Sequence, residues 1–173
     1  MGSNAYPYHD EILAAYQGEL IGERLYRELA MRSEVGDQKA KLHAIADVER
    51  QTSRRLKPIA ERLGIDVRET QWMCIVERRL SELESLAWPE FIERAMRDWP
   101  PYIARFEALR QLAPAGDADS IQWLVQHEAA LVAFARTERD AMGSDASLRP
   151  LQTFLEEINA SMPATQVVVD WSR

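Results

Sequence analysis

The chain has 173 residues and a formal net charge of −7 at pH 7, the size of one domain with a buried core. Its arginines alternate with acidic residues, which argues against nucleic acid and anionic membranes as partners, because both bind clustered Lys and Arg. The single cysteine, Cys74, excludes an intrachain disulfide and favours a cytoplasmic location. No apolar run approaches the roughly 18 residues of a membrane span.

Sparse glycine and abundant Ala, Leu, Glu and Arg favour an all-α fold. In chain order, hydrophobic periodicity predicts a first helix over 10–33, with Asp10 as its N-cap, and a second over 38–63 that ends at Gly64. Pro58 lies on the outward face of the second helix, so it predicts a mild bend rather than a break. Residues 1–5 are set aside as a disordered leader or cloning remnant.

A long crossover follows, and then a second pair of main helices. The sequence predicts a crossover helix over 72–86, and the third and fourth main helices over 88–113 and 117–142. A short helix over 151–158 follows, and then a tail over 166–171 that is a strand or an ordered extension. Pro100-Pro101 must kink or split the third helix. Two helical hairpins joined by a long crossover predict a four-helix bundle, one domain over 6–173.

Three glutamates interrupt the apolar stripes of these helices. Glu19 follows Ile12 and Tyr16 on the first helix, Glu49 follows Ile45 on the second, and Glu128 lies between apolar residues of the fourth. Burial of a lone carboxylate costs several kcal/mol, on the order of the stability of a domain. Carboxylates at mid-height on several inward faces therefore indicate a metal site, or the remnant of one.

Part of this pattern resembles a known family. Gly18-Glu19 with Tyr26 seven residues later, and Glu49 on the next helix, resemble the first half of a rubrerythrin-type site in the ferritin-like superfamily. The family motif has Gly-Glu and a later Tyr on one helix and Glu-x-x-His on its partner. The resemblance implies a ferritin-like bundle with Glu19 as a terminal ligand, Glu49 and Glu128 as bridging carboxylates, and iron or manganese as the metal.

The chain departs from this motif at both histidines. Thr52 and Leu131 occupy the positions three residues after Glu49 and Glu128, and leucine cannot bind a metal. A di-iron centre with two histidines is therefore not encoded at the expected positions. The motif is degenerate.

Two further acids are candidate ligands. Glu23 shares the inward stripe of the first helix, but an i,i+4 ion pair with Arg27 is the better interpretation. Asp98 lies the same distance before Glu128 as Glu19 lies before Glu49. If Tyr102 is instead the counterpart of Tyr26, the position equivalent to Glu19 is Ala95, which carries no acid.

His127 is the remaining candidate ligand. It is rotated about 100° from its neighbour Glu128 around the helix, which predicts that it points toward a neighbouring helix as a core histidine. A shifted site could nevertheless recruit it.

The structural alternative is that the three glutamates are buried acids neutralised by arginines or by inward tyrosine hydroxyls. The candidate groups are Arg27, Arg54, Arg105, Tyr16, Tyr26 and Tyr102. The tryptophans are interpreted as packing anchors, or as part of a homodimer interface if they are exposed.

Three functions follow from these patterns. The first is a ferritin-like protein that has lost its di-iron centre and serves as a binding or scaffold protein. The second is an iron or manganese oxidase or peroxidase that uses Glu19, Glu49 and Glu128, completed by Glu23, Asp98 or His127. The third is a small-molecule binder whose pocket replaces the metals. The sequence leaves open whether the protein is an enzyme.

Overall fold

Helices are the only regular elements among residues 5–161, the part of the chain that the computed structural model describes. The prediction of an all-α fold is therefore confirmed for these residues. The helices are α1 Ala5–Arg32, α2 Gly36–Arg62, α3 Glu69–Glu84, α4 Trp88–Asp98, α5 Pro100–Leu112, α6 Ala118–Asp140 and α7 Arg149–Ser161, with a 3₁₀ turn at Asp145–Leu148. None of them combines the length and apolar character needed to cross a bilayer. The predicted tail over 166–171 lies outside the described residues.

The ends of the first two helices follow from local chemistry, with one correction. α1 already begins at Ala5, so Asp10 lies inside the helix and the prediction of an Asp10 N-cap is wrong. α2 continues through Pro58, whose side chain is exposed on the outer face as predicted. Gly64 follows α2 with φ of 70°, a left-handed conformation that glycine adopts without steric cost.

The predicted third main helix is split at its proline pair. α4 ends at Asp98 and α5 begins at Pro100, which lacks an N–H group and so cannot continue the hydrogen bonding of the preceding helix. Ala95 is buried on the inner side of α4, whereas the Asp98 side chain is 45% exposed. Ala95 rather than Asp98 therefore faces the core.

The helices pack against one another along their lengths. α1 packs along α2, both α4 and α5 pack on α6, and α2 contacts α6. α3, the crossover helix, covers α1, and α7 covers α2 and α6. In the interior, α2 therefore packs against both α1 and α6.

Apolar packing in this interior is divided into two clusters. The buried residues of the first cluster include Tyr26, Trp72, Phe91 and Phe134. Those of the second cluster include Ile12, Leu56, Phe106 and Leu124. Along α1, α2 and α6 the two clusters occupy opposite halves of each helix. A layer of polar residues lies between them.

Candidate metal centre

The polar layer consists of four buried side chains from three helices. Glu19 on α1 is 3% exposed, Glu49 on α2 is 7% exposed, and His127 and Glu128 on α6 are 1% and 7% exposed. Each lies at the point of its helix where the apolar stripe passes from one cluster to the other. The structure thus brings Glu19 and Glu49 together with a histidine in a water-poor interior.

His127 occupies the centre of this group. Its Nε2 atom lies 3.5 Å from Glu19 Oε2 and 3.5 Å from Glu49 Oε2. One potential ligand atom from each of the three residues lies within 4.8 Å of the other two. His127 thus points toward neighbouring helices, α1 and α2, as predicted, but the prediction that it points away from the carboxylates is wrong.

The other ring nitrogen of His127 is held by its own helix. Nδ1 lies 3.1 Å from the carbonyl oxygen of Leu124, which can only accept a hydrogen bond, so Nδ1 carries the hydrogen. Nε2 then faces the two carboxylates and has no hydrogen-bond partner among the described residues. A histidine oriented in this way by a backbone carbonyl is typical of a metal ligand.

The distances suit ligation better than hydrogen bonding. An N–H···O bond normally spans about 2.7–3.2 Å between heavy atoms, which is shorter than both separations from Nε2. Two ligand atoms that each lie about 2.1 Å from one ion, at an angle near 110°, are about 3.5 Å apart. Glu19 Oε2 and Glu128 Oε2 are also buried without a hydrogen-bond partner among the described residues. His127 Nε2 and the carboxylate oxygens of Glu19 and Glu49 therefore have the spacing of ligands to one metal ion.

Charge in the layer is incompletely compensated. Burial raises the pKa of Glu19 well above its usual value, the positive charge of His127 opposes this change, and Glu49 and Glu128 add to it. Burial and Glu49 raise the pKa of Glu128 to about 7, again against the effect of His127. The carboxylates raise the pKa of His127 although burial alone would lower it. The layer therefore retains protons near neutral pH, and a bound cation would displace them.

Arginines do not neutralise this layer in the way that the structural alternative requires. Arg27 binds Glu23 and Asp47, and Arg105 binds Glu11. The predicted i,i+4 pair between Glu23 and Arg27 is thus confirmed, with 3.1 Å between Arg27 Nε and Glu23 Oε1. Arg54 is exposed on the surface of α2.

Asp98 and two of the tyrosines lie apart from the four-residue layer. Asp98 forms ion pairs with Arg94 and Arg97 at the surface. Tyr102 is 37% exposed, so the prediction that it faces inward is wrong, and Tyr16 is only half-buried. Tyr26 is buried and packs edge-on against Trp99, with ring centroids 6.4 Å apart.

The motif positions that lack histidine contribute no ligand. Thr52 is buried, but its hydroxyl donates a hydrogen bond to the carbonyl oxygen of Val48 at 3.0 Å. Leu131 is buried beside the carboxylates and adds only apolar surface. The nitrogen donor of the layer is therefore His127, which is offset from both motif positions.

Sequence reasoning missed Gly22, which makes room for Glu49. A Cβ atom at position 22 would lie 2.6 Å from Glu49 Cδ and 2.8 Å from both carboxylate oxygens. A glycine inside a long helix costs about 1 kcal/mol relative to alanine. That local cost, one turn after Glu19, is the signal that could have identified the position.

A cavity of about 280 Å³ adjoins the layer. Its lining includes all three glutamates, Gly22 and Leu131. The carboxylates are therefore reachable by a small molecule from one side, while apolar packing shields them along the helix axes.

No protein-family model, curated protein or solved structure matches this chain. The chemistry of the layer must therefore be interpreted from its own residues. Two carboxylates, those of Glu19 and Glu49, and the imidazole of His127 lie close enough together to share a divalent transition-metal ion, whereas the predicted ligand Glu128 lies outside that group and lines the adjoining cavity.

Proposed function

We propose that this protein is a ferritin-like metal protein that binds one iron or manganese ion per chain. Glu19, Glu49 and His127 are its ligands, and Glu128 is the adjacent fourth donor. The observation that carries the proposal is the position of His127 Nε2, which has no hydrogen-bond partner among the described residues and lies 3.5 Å from a carboxylate oxygen of each of two helices.

The donor types favour iron and manganese over softer or more strictly oxygen-bound metals. Carboxylates suit hard cations such as Mn²⁺, and imidazole suits Fe²⁺. The one cysteine, Cys74, is exposed on α3, so it contributes no thiolate to the layer. One ion is proposed rather than two because Thr52 and Leu131 replace the histidines of a two-metal motif. The ferritin-like assignment rests on the resemblance of the sequence motif and on the all-helical structure.

The cavity beside the carboxylates supports a second, more specific function, an oxidase or peroxidase. Bound iron or manganese would supply one-electron redox chemistry at the layer. The chain's own contribution would be to hold the ligands, to exclude bulk water with two apolar clusters and to admit a small reactant through the cavity.

Metal stoichiometry tests the proposal directly. The protein is loaded anaerobically with Fe(II) or Mn(II), desalted and measured by plasma mass spectrometry. Glu49→Gln removes a proposed ligand charge at nearly constant volume. Glu23→Gln is the matched control, because Glu23 lies one turn from Glu19 but is paired with Arg27.

We expect about one ion per chain in the wild type and in Glu23→Gln, and a loss of most bound metal in Glu49→Gln. Equal metal retention by Glu49→Gln and the wild type would refute the proposed ligand set. Two ions per chain would show that the site is binuclear despite the missing histidines.

A further inference from the structure

A second cavity, of about 670 Å³, lies next to the metal centre and is lined by more positive than negative groups. Four arginines line it, at positions 78, 79, 94 and 97, but only two acids, Glu82 and Asp98. This excess of two positive charges is unusual in a chain whose formal net charge is −7. Its volume is that of an ordinary small-molecule site, roughly 300–1,000 Å³.

Two of these arginines are available to an anion. Arg94 binds Glu82 and Asp98, and Arg97 also binds Asp98. Arg78 and Arg79 form no ion pair with any described residue, and both are exposed on α3. A guanidinium group binds a carboxylate or phosphate through paired, charge-assisted hydrogen bonds.

Arg79 also belongs to the wall that connects the two cavities. The basic cavity and the cavity beside the carboxylates share Leu25, Tyr26, Arg79, Trp99 and Tyr102. An anion held by Arg79 therefore lies beside the cavity that the three glutamates line.

Besides Arg79 and Leu25, the shared wall consists of three aromatic residues, Tyr26, Trp99 and Tyr102. Trp99 contacts Tyr26 and Phe91 edge-on, with ring centroids 6.4 Å and 6.3 Å apart. Trp99 occupies the break between α4 and α5, and Pro101 of the proline pair that splits this helix also lines the basic cavity. Aromatic rings of this kind pack against apolar or aromatic ligand groups.

We propose that the basic cavity binds a small organic acid with an aromatic or apolar body, its carboxylate on Arg79 and its body against Trp99. This inference deepens the proposed function and rests on it in one respect, namely that the body of the acid is directed toward a metal ion. The proposed substrate class is therefore an aromatic or apolar carboxylic acid.

Binding is measured by calorimetry with benzoate and phenylacetate as probes, benzyl alcohol as the neutral analogue and inorganic phosphate as the anion without an apolar body. The variants are Arg79→Gln and the matched control Arg136→Gln, an exposed arginine on α6 that lines neither cavity. Circular dichroism verifies that both variants are folded.

We expect the wild type and Arg136→Gln to bind each acid with the same dissociation constant. Arg79→Gln should raise the dissociation constant of each acid about tenfold or more. Benzyl alcohol and phosphate should bind more weakly than either acid. Absence of saturable acid binding, or equal binding by Arg79→Gln, overturns the proposal. Phosphate binding tighter than that of both acids overturns the assignment of an apolar acid.

Proximity to the metal is measured separately, from the line broadening of benzoate protons by Mn(II)-loaded protein in NMR spectra. We expect broadening with the wild type and none with Glu49→Gln. Acid binding without broadening, in protein that retains Mn(II), overturns the orientation toward the metal. If the wild type retains no metal, the proposed metal function fails, whereas the calorimetric comparison still decides whether the cavity binds acids.

Discussion

Gly22 on α1 faces the carboxyl group of Glu49 on α2 so closely that a Cβ atom at position 22 would lie 2.6 Å from Glu49 Cδ. Glu49 is a proposed ligand, and its carboxylate occupies the space that any larger residue at position 22 would need. The glycine therefore has a function in the site, although it lies inside a helix where glycine is unfavourable.

Replacement of Gly22 by alanine should displace the Glu49 carboxylate and weaken metal binding at least tenfold. Separations under 3 Å between Cβ and other heavy atoms do not persist, so the Glu49 carboxylate must leave its present position, 3.5 Å from His127 Nε2. The dissociation constant for Mn(II), measured by calorimetry, checks this expectation.

Gly18 provides the matched control for that substitution. It lies on the same helix, and a Cβ atom there would meet nothing within 4 Å. Gly18→Ala should therefore keep the affinity for Mn(II) and raise the free energy of unfolding by about 0.5–1 kcal/mol, from helix propensity alone. Unchanged Mn(II) affinity in Gly22→Ala would show that Glu49 need not occupy its present position.

His127→Phe should abolish the stabilisation that metal confers. At a concentration about 100 times the dissociation constant, a bound ion adds about 2.7 kcal/mol, which raises the melting temperature by about 5–10 °C for a chain of this size. Phenylalanine keeps the ring in the buried space but removes Nε2.

The control for this experiment is His43→Phe, a half-buried histidine on α2 outside the polar layer. Thermal melts with and without Mn(II) should show the rise in the wild type and in His43→Phe only. A similar rise in His127→Phe would exclude His127 as a ligand.

A separate buried ion pair, about two helical turns from Glu49 on α2 and about three turns from Glu128 on α6, supports the fold. Lys41 Nζ on α2 lies 2.8 Å from Glu138 Oε2 on α6, and both side chains are inaccessible to solvent. Glu138 also accepts hydrogen bonds from Trp88 Nε1 and the Gly143 backbone N–H. Burial alone would raise the pKa of Glu138, but Lys41 and these donors together lower it.

Glu138→Gln should lower the free energy of unfolding by about 2 kcal/mol at pH 7, because Lys41 would lose the charge of its buried partner and keep only Asp37, 2.7 Å away and 37% exposed. The folded-state pKa of Glu138 is below the unfolded value of about 4.3, so its contribution is fully present above that value. The contribution is lost as pH falls through the lowered folded-state pKa.

Urea unfolding at pH 7 and pH 3 measures this effect. The difference between the wild type and Glu138→Gln should narrow at pH 3, because Glu138 of the unfolded wild type binds a proton below about pH 4.3, whereas the folded state binds it only at lower pH. Glu107→Gln is the control, since its pair with Arg110 is half-exposed and should contribute under about 1 kcal/mol. An equal difference at both pH values would show that the charge of Glu138 is not what stabilises the fold.

Helical periodicity alone determined much of the fold and part of the site. Glu19, Glu49 and Glu128 were predicted on inward faces because each lies at i,i+3 or i,i+4 spacing within an apolar stripe, and all three are buried. A kink or split at Pro100-Pro101 followed equally from local chemistry, since proline lacks the N–H that a continuing helix needs, and the structure shows a split.

The orientation of His127 and the role of Gly22 were decided only by tertiary structure. Sequence spacing defines directions around one helix, and by that measure His127 points away from Glu128. α6 is packed against several helices, however, so the neighbouring directions of His127 and Glu128 both lead into the interior. The distance between α1 and α2 likewise determines whether Glu49 reaches Gly22. Such contacts between residues distant in the chain depend on how helices pack against one another. The residue pattern of a single helix does not contain this information.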